Sequence, residues 1–118
     1  MSLDFYDRSG RPFAYSEDGE TLYSFSGRPI AYLDGDSLYS FNGAHLGFFE
    51  DGQLWDHSGA VVLFTDNSTG GPLKPLKALK PLKGLKALKP LKGLKQLKPL
   101  KALKSLGWSN TPPDKYFA

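Results

Sequence analysis

A chain of 118 residues with 40% hydrophobic and 14% aromatic content has the material for one small folded domain, which argues against disorder of the whole chain. It contains no cysteine, so a disulfide framework and a thiolate metal site are both excluded. Its formal charge of +3 hides a division: residues 1–71 carry three arginines against eleven acidic side chains, net −8, and residues 72–118 carry twelve lysines against Asp114, net +11.

The chain opens without a basic start and apolar run, so no signal peptide is expected, and no stretch is long and apolar enough to span a bilayer. The expected location is the cytoplasm, with no membrane partner. A basic block ordinarily points to nucleic acid or an anionic surface. Here the nearest large acidic surface is the first half of the same chain, which makes an outside polyanion the weaker expectation.

Residues 1–69 form a head of four repeats: "YDRSGRPFAYSEDGETL", "YSFSGRPIAYLDGDSL", "YSFNGAHLGFFEDGQL" and "WDHSGAVVLFTDNST". The leading aromatics Tyr6, Tyr23, Tyr39 and Trp55 are spaced 17, 16 and 16, as are Gly10, Gly27, Gly43 and Gly59. Each unit reads as two short strands with two turns. Asn42-Gly43 is the strongest hairpin signal, since both residues tolerate positive φ; the Ser-Gly pairs are weaker versions, and Asp18-Gly19, Asp34-Gly35 and Asp51-Gly52 make the second turn. Pro12 and Pro29 suit only a strand start or edge. The column Ala14, Ala31, Gly47 and Leu63 is mostly small between bulky neighbours, which fits either close approach around a shared axis or a tight cross-strand contact. Hairpins are marginal alone, so four equal ones predict a pseudo-fourfold ring or a short solenoid.

Residues 70–107 form a second segment, beginning at the flexible "GGP" joint. Within it, twelve leucines stand at every third position from Leu73 to Leu106, each but the last followed by lysine. An α-helix would wind such leucines round its whole cylinder, and Pro75, Pro81, Pro90 and Pro99 would break it; a strand would send them to alternate faces. Polyproline II repeats every three residues and accepts proline, giving a leucine edge, a lysine edge and a third edge of Pro, Ala, Gly, Gln or Ser. Four nonapeptides, each opening with proline at 72, 81, 90 and 99, match the four hairpins, so the tract is expected to pass once round the head. Burying a leucine is worth roughly 1.5–3 kcal/mol; on that ground the leucine edge is expected to face inward onto the head, with Gly84 and Gly93 permitting bends. The fold class predicted is all-β: four β-hairpin repeats in pseudo-fourfold arrangement with an extended polyproline-II-like Leu-Lys tract packed on them, one structural domain overall.

Residues 108–118 form a tail in which Trp108, Tyr116 and Phe117 are available to dock and Pro112-Pro113 argues against a helix. No catalytic, cofactor-binding or metal site is predicted. His45 and His57 are the only histidines, and a metal between them would need a carboxylate such as Asp56; turn or surface roles fit better. Asp7 and Asp56 stand three residues before turn glycines, where Ser24 and Ser40 occupy the middle repeats, and capping of the turn backbone accounts for them. No phosphate-loop pattern is present. Tyr23, Tyr39 and Trp55 read as a platform on which the leucine and proline edges dock; a groove for sugars or choline-like groups is the alternative.

The aromatic-x-x-Ser/Asn-Gly repeats, the "GGPLKPLKALKPLK" tract and the "LGWS" ending at Leu106–Ser109 together resemble the small bacterial family of 4-fold beta flower proteins. That resemblance covers nearly the entire chain and implies an all-β arrangement with fourfold internal repetition and no established activity. The hairpin units alone also resemble choline-binding and tryptophan-glycine repeats, which lack such a tract. The function expected is a non-enzymatic structural or interaction module, with a homo-oligomer or a protein as partner. Polyanion binding by the lysine edge and small-molecule binding by the repeated aromatics are the alternatives.

Overall fold

Alternation along each repeat separates two sets of side chains, and the computed structural model, described for residues 2–118, shows what each set covers. Eight strands form: β1 (Leu3–Tyr6), β2 (Pro12–Ser16), β3 (Thr21–Ser24), β4 (Pro29–Asp34), β5 (Ser37–Tyr39), β6 (His45–Glu50), β7 (Gln53–Trp55) and β8 (Val61–Phe64). They pair in chain order, antiparallel throughout, and β8 returns to β1 to close a barrel. The ring, not the solenoid, is the packing adopted. Closure removes the exposed sheet edges that four loose hairpins would leave.

Inside, Phe5, Leu22, Leu38 and Leu54 lie directly opposite Ala14, Ala31, Gly47 and Leu63 across the hairpins. All are buried and most belong to one core cluster. An eight-stranded barrel has room for little more than such side chains. The small column therefore answers to both constraints at once, a cross-strand partner and a narrow interior. Outside, the wall carries Tyr6, Tyr15, Tyr23, Tyr32, Tyr39, Phe48, Trp55 and Phe64, paired across strands as Tyr6–Phe64, Tyr15–Tyr23, Tyr32–Tyr39 and Phe48–Trp55. These outward aromatics are also buried. Something outside the barrel covers them.

The turns alternate between its two ends. Each Ser-Gly or Asn-Gly turn closes with the glycine amide donating to the carbonyl three residues back, as Gly43 to Ser40 at 3.0 Å, followed by a register shift in the ladder. Gly43 has positive φ, but Asn42 does not; the hairpin expected there forms, through a longer turn ending in a glycine bulge. The turn with both central residues at positive φ is Asp51-Gly52. Pro12 and Pro29 sit at strand starts beside the shift, where no ladder amide is needed.

The tail corrects an expectation. Pro112 and Pro113 begin a helix instead of forbidding one: α1 (Pro113–Tyr116) has Pro112 at its N-cap and proline at its first position, where a missing amide costs nothing. It carries Phe117 into the barrel core, stacked on Phe13, and the hydroxyl of the half-buried Tyr116 donates to Leu46 O at 2.5 Å.

Between head and tail, residues 73–105 run without helix or strand. The ribbon meets the turn glycines in order, through Leu76 at Gly10, Leu85 at Gly27, Leu94 at Gly43 and Leu103 at Gly59. It starts beside Val61 at Gly71 and ends beside Val61 again, whose amide donates to Gly107 O at 3.2 Å. One turn of the ribbon, about 110 Å at polyproline II rise, suits the perimeter of a disc measuring 36 × 36 × 25 Å.

A matched pair of substitutions isolates this contact. Gly10 and Gly19 have φ of 81° and 75°, yet a Cβ at Gly10 would strike the Leu76 carbonyl and one at Gly19 meets nothing within 4 Å. Both alanine variants should lose stability through backbone strain, about 1–3 kcal/mol. Gly10→Ala should lose measurably more in urea unfolding; equal losses would mean the ribbon does not press on the turn.

Candidate functional site: the leucine–lysine belt

A backbone with no internal hydrogen bonds must find partners elsewhere when it is packed against a protein. The ribbon finds them at the turns. Ala78, Ala87, Gln96 and Ser105, nine residues apart, donate their amides to Gly10, Gly27, Gly43 and Gly59 at 2.8–2.9 Å. Gly84 and Gly93 donate to Phe25 and Phe41 at 2.7 Å. A Cβ at Gly84 or Gly93 would lie 2.5–2.6 Å from Ser26 O or Asn42 O, and neither glycine has positive φ. At both positions glycine is required by close approach.

With the third edge against the turns, one of the two remaining edges must face the wall. It is lysine, and the inward leucine ridge expected from hydrophobic bookkeeping is overturned. Eleven of the tract leucines are 94–98% exposed, and Leu106 is 80% exposed. The lysine ammoniums instead lie over the outward aromatics with the same nine-residue step: Lys77 over Tyr6, Lys86 over Tyr23, Lys95 over Tyr39 and Lys104 over Trp55. A second series places Lys83 over Tyr15 at 4.3 Å, Lys92 over Tyr32 at 4.4 Å and Lys101 over Phe48 at 5.3 Å. Lysine stems cover apolar surface while the charged heads stay near water. Tyr23, Tyr39 and Trp55 thus form a platform, as expected, but for lysines, and they are covered against a sugar or choline-like ligand.

Each ammonium continues past its ring to a carboxylate of the head. Lys80 reaches Asp4 at 2.7 Å, Lys92 reaches Glu20 at 3.1 Å, Lys98 reaches Asp36 at 2.6 Å, and Lys104 reaches Glu50 and Asp51 at 2.9 Å. Lys77 pairs with Asp66, Lys86 with Glu17 and Lys95 with Asp34. Hydrogen bonds from Lys101 and Lys98 hold the Asp36 carboxyl down at about 2, and those from Lys101 and Lys104 keep Glu50 below the usual range. The opposed charges of the two halves therefore meet within one molecule. Among the described residues, Lys74 and Lys89 are the ribbon lysines without a carboxylate partner, and Lys74 lies over Trp108 and donates to the Gly70 carbonyl at 2.9 Å.

The remaining candidates have structural places. Asp7 Oδ1 accepts from the amides of Ser9 and Arg11 at 2.8 and 3.0 Å, and Asp56 Oδ1 from those of Ser58 and Ala60 at 2.9 and 3.0 Å. Ser24 and Ser40 cap the other two turns through their hydroxyls at 3.2 Å. His45 and His57 come together: His45 Nδ1 lies 2.9 Å from His57 Nε2, and His45 Nε2 lies 3.1 Å from Ser37 Oγ. His45 is buried at the place of Pro12 and Pro29, and having an amide to satisfy, it donates to Gln96 Oε1 at 2.8 Å. Asp56 is turned to Ser109, donated to by its hydroxyl at 2.6 Å, so it does not join the histidines. Among the described residues no group of three potential ligands could hold a metal, and no helix is long and apolar enough to cross a membrane.

The belt should determine where trypsin cuts the native protein. Four of its lysines precede proline, which blocks cleavage, and six precede amides bonded to the head: Ala78, Gly84, Ala87, Gly93, Gln96 and Ser105. Lys101–Ala102 is left. Mass analysis of early digests should show first cleavage within the belt at that bond; even cleavage along the tract would contradict the contacts.

The histidine pair adds a pH dependence. Burial, then the neighbouring His57 and Lys98, hold the His45 pKa below its ordinary 6.5, with Asp36 opposing. Between the lowered value and 6.5 the unfolded chain binds more protons, so stability is full above about 6.5 and falls as pH drops through the folded pKa. Thermal unfolding from pH 7.5 to 5 should show this loss, reduced in His45→Gln.

A family model described as 4-fold beta flower protein matches residues 3–117. Comparison with curated proteins and with solved structures finds no match. Four hairpins closed about one axis, each met in turn by the ribbon, accord with that description, and the chain belongs to the 4-fold beta flower protein family.

Proposed function

We infer that this protein is a non-enzymatic interaction module whose working surface is the leucine row, acting in the cytoplasm in keeping with its lack of cysteine. One observation carries the reading: twelve leucines are held in a regular outward row by a backbone and a lysine edge that are both engaged elsewhere. Monomeric proteins rarely leave contiguous apolar patches beyond a few hundred Å² unless something binds there. Polyanion binding is disfavoured, because the lysines that would meet phosphates are turned onto the head's own carboxylates. Small-molecule binding by the aromatics is disfavoured because lysine stems lie over them.

The test separates binding surface from core. Replacing Leu82, Leu85, Leu88 and Leu91 by serine should change unfolding stability by no more than about 0.5 kcal/mol per site, measured at low chain concentration. Leu22→Ala inside the barrel should cost about 2–5 kcal/mol. A collapse of stability in the four-leucine variant would make the row part of the fold and defeat this reading.

A further inference from the structure

The leucine row has a pitch, and pitch restricts what can lie along it. Residues three apart on a polyproline II backbone stand about 9 Å apart, which leaves a gap between successive leucines wide enough for another side chain. An α-helix repeats its face every ~5.4 Å, and a strand repeats its face about every 6.7 Å. Neither stays in step with the row for more than one or two leucines. A second ribbon of the same kind has the same pitch.

We propose that the partner of the leucine row is a second copy of this chain, whose leucines interdigitate with it. This rests on the reading of the row as an interaction surface given above. The outward edge bears leucine alone, so two copies meet there without opposing like charges, the lysines being turned to the head. Area also suffices. At the order of 100 Å² of apolar surface per leucine, twelve offer roughly 1,200 Å², well above the ~300–600 Å² patch of a typical monomer. A standard interface takes about 800 Å² from each partner, so two thirds of the row is enough. A lipid surface is the poorer fit. Interfacial segments combine free cations with tryptophan or phenylalanine beside the apolar face, whereas here nine of the eleven ribbon lysines are paired with carboxylates and no aromatic stands on the outward edge.

Sedimentation equilibrium of the full chain, from low to high micromolar concentration, tests the proposal. The expected mass is at least twice the 13.0 kDa of one chain. Replacing Leu82, Leu85, Leu88 and Leu91 by serine should weaken association by at least about tenfold. Leu88→Glu, a single outward change, should do the same in a minimally altered fold. A wild-type mass of 13.0 kDa at every concentration overturns the proposal, as does association that neither variant weakens. Co-flotation of a monomeric wild type with phosphatidylcholine–phosphatidylglycerol vesicles, lost in Leu88→Glu, would replace the second copy by a lipid surface while sparing the interaction reading. A Leu88→Glu variant that melts far below the wild type at a chain concentration where both are monomeric would overturn both.

Discussion

The amides of the leucine–lysine ribbon have no partners within the ribbon, and every other feature of its placement follows from where they find them. The turn carbonyls at one end of the barrel accept them at a nine-residue step. That requires the third edge to face the turns and to carry little: alanine, glutamine or serine where an amide donates, glycine where backbones nearly touch, proline where no amide is used. With a three-sided ribbon so fixed, one long edge must lie on the barrel wall and the other must point away.

Lysine takes the wall because the wall is aromatic in its middle and acidic at its far end. A leucine placed there would cover a ring but would leave Asp36, Glu50 and their counterparts without cations. A lysine covers the ring with its stem, sets its ammonium near the π face, and ends on the carboxylate. The barrel depends on this cover in turn, since its outward tyrosines are as buried as its core. Head and ribbon are thus one cooperative unit, while the leucines remain available for contacts beyond the chain.

Much of this architecture is legible in the sequence. The recurrence of Tyr6, Tyr23, Tyr39 and Trp55, and the equal count of nonapeptides and hairpins, predict fourfold repetition and the ribbon's circuit. The direction of the leucines is not legible by counting apolar residues, because that treats lysine as a charge and ignores its four-carbon stem. The signal that would have corrected it is the −8 of the head, whose acids flank the aromatics that needed covering. Asn42-Gly43 marks the hairpin between β5 and β6, but Gly43 ends a longer turn in a bulge, and a dipeptide does not state the length of its turn. Pro112-Pro113 reads as a helix breaker by composition, yet proline at a first helical position is a start. Nothing local in the sequence joins His45 to His57: they meet because the barrel sets neighbouring turns side by side.

The orientation of the lysine edge can be read directly in solution by the proton chemical shifts and NOEs of the Lys83 and Lys92 side chains. With ammoniums 4.3 and 4.4 Å from the Tyr15 and Tyr32 ring centroids, their terminal methylenes should resonate upfield of free lysine and show NOEs to those rings. Unperturbed lysine shifts, with NOEs to the same rings from Leu82 or Leu91 methyls instead, would contradict the account.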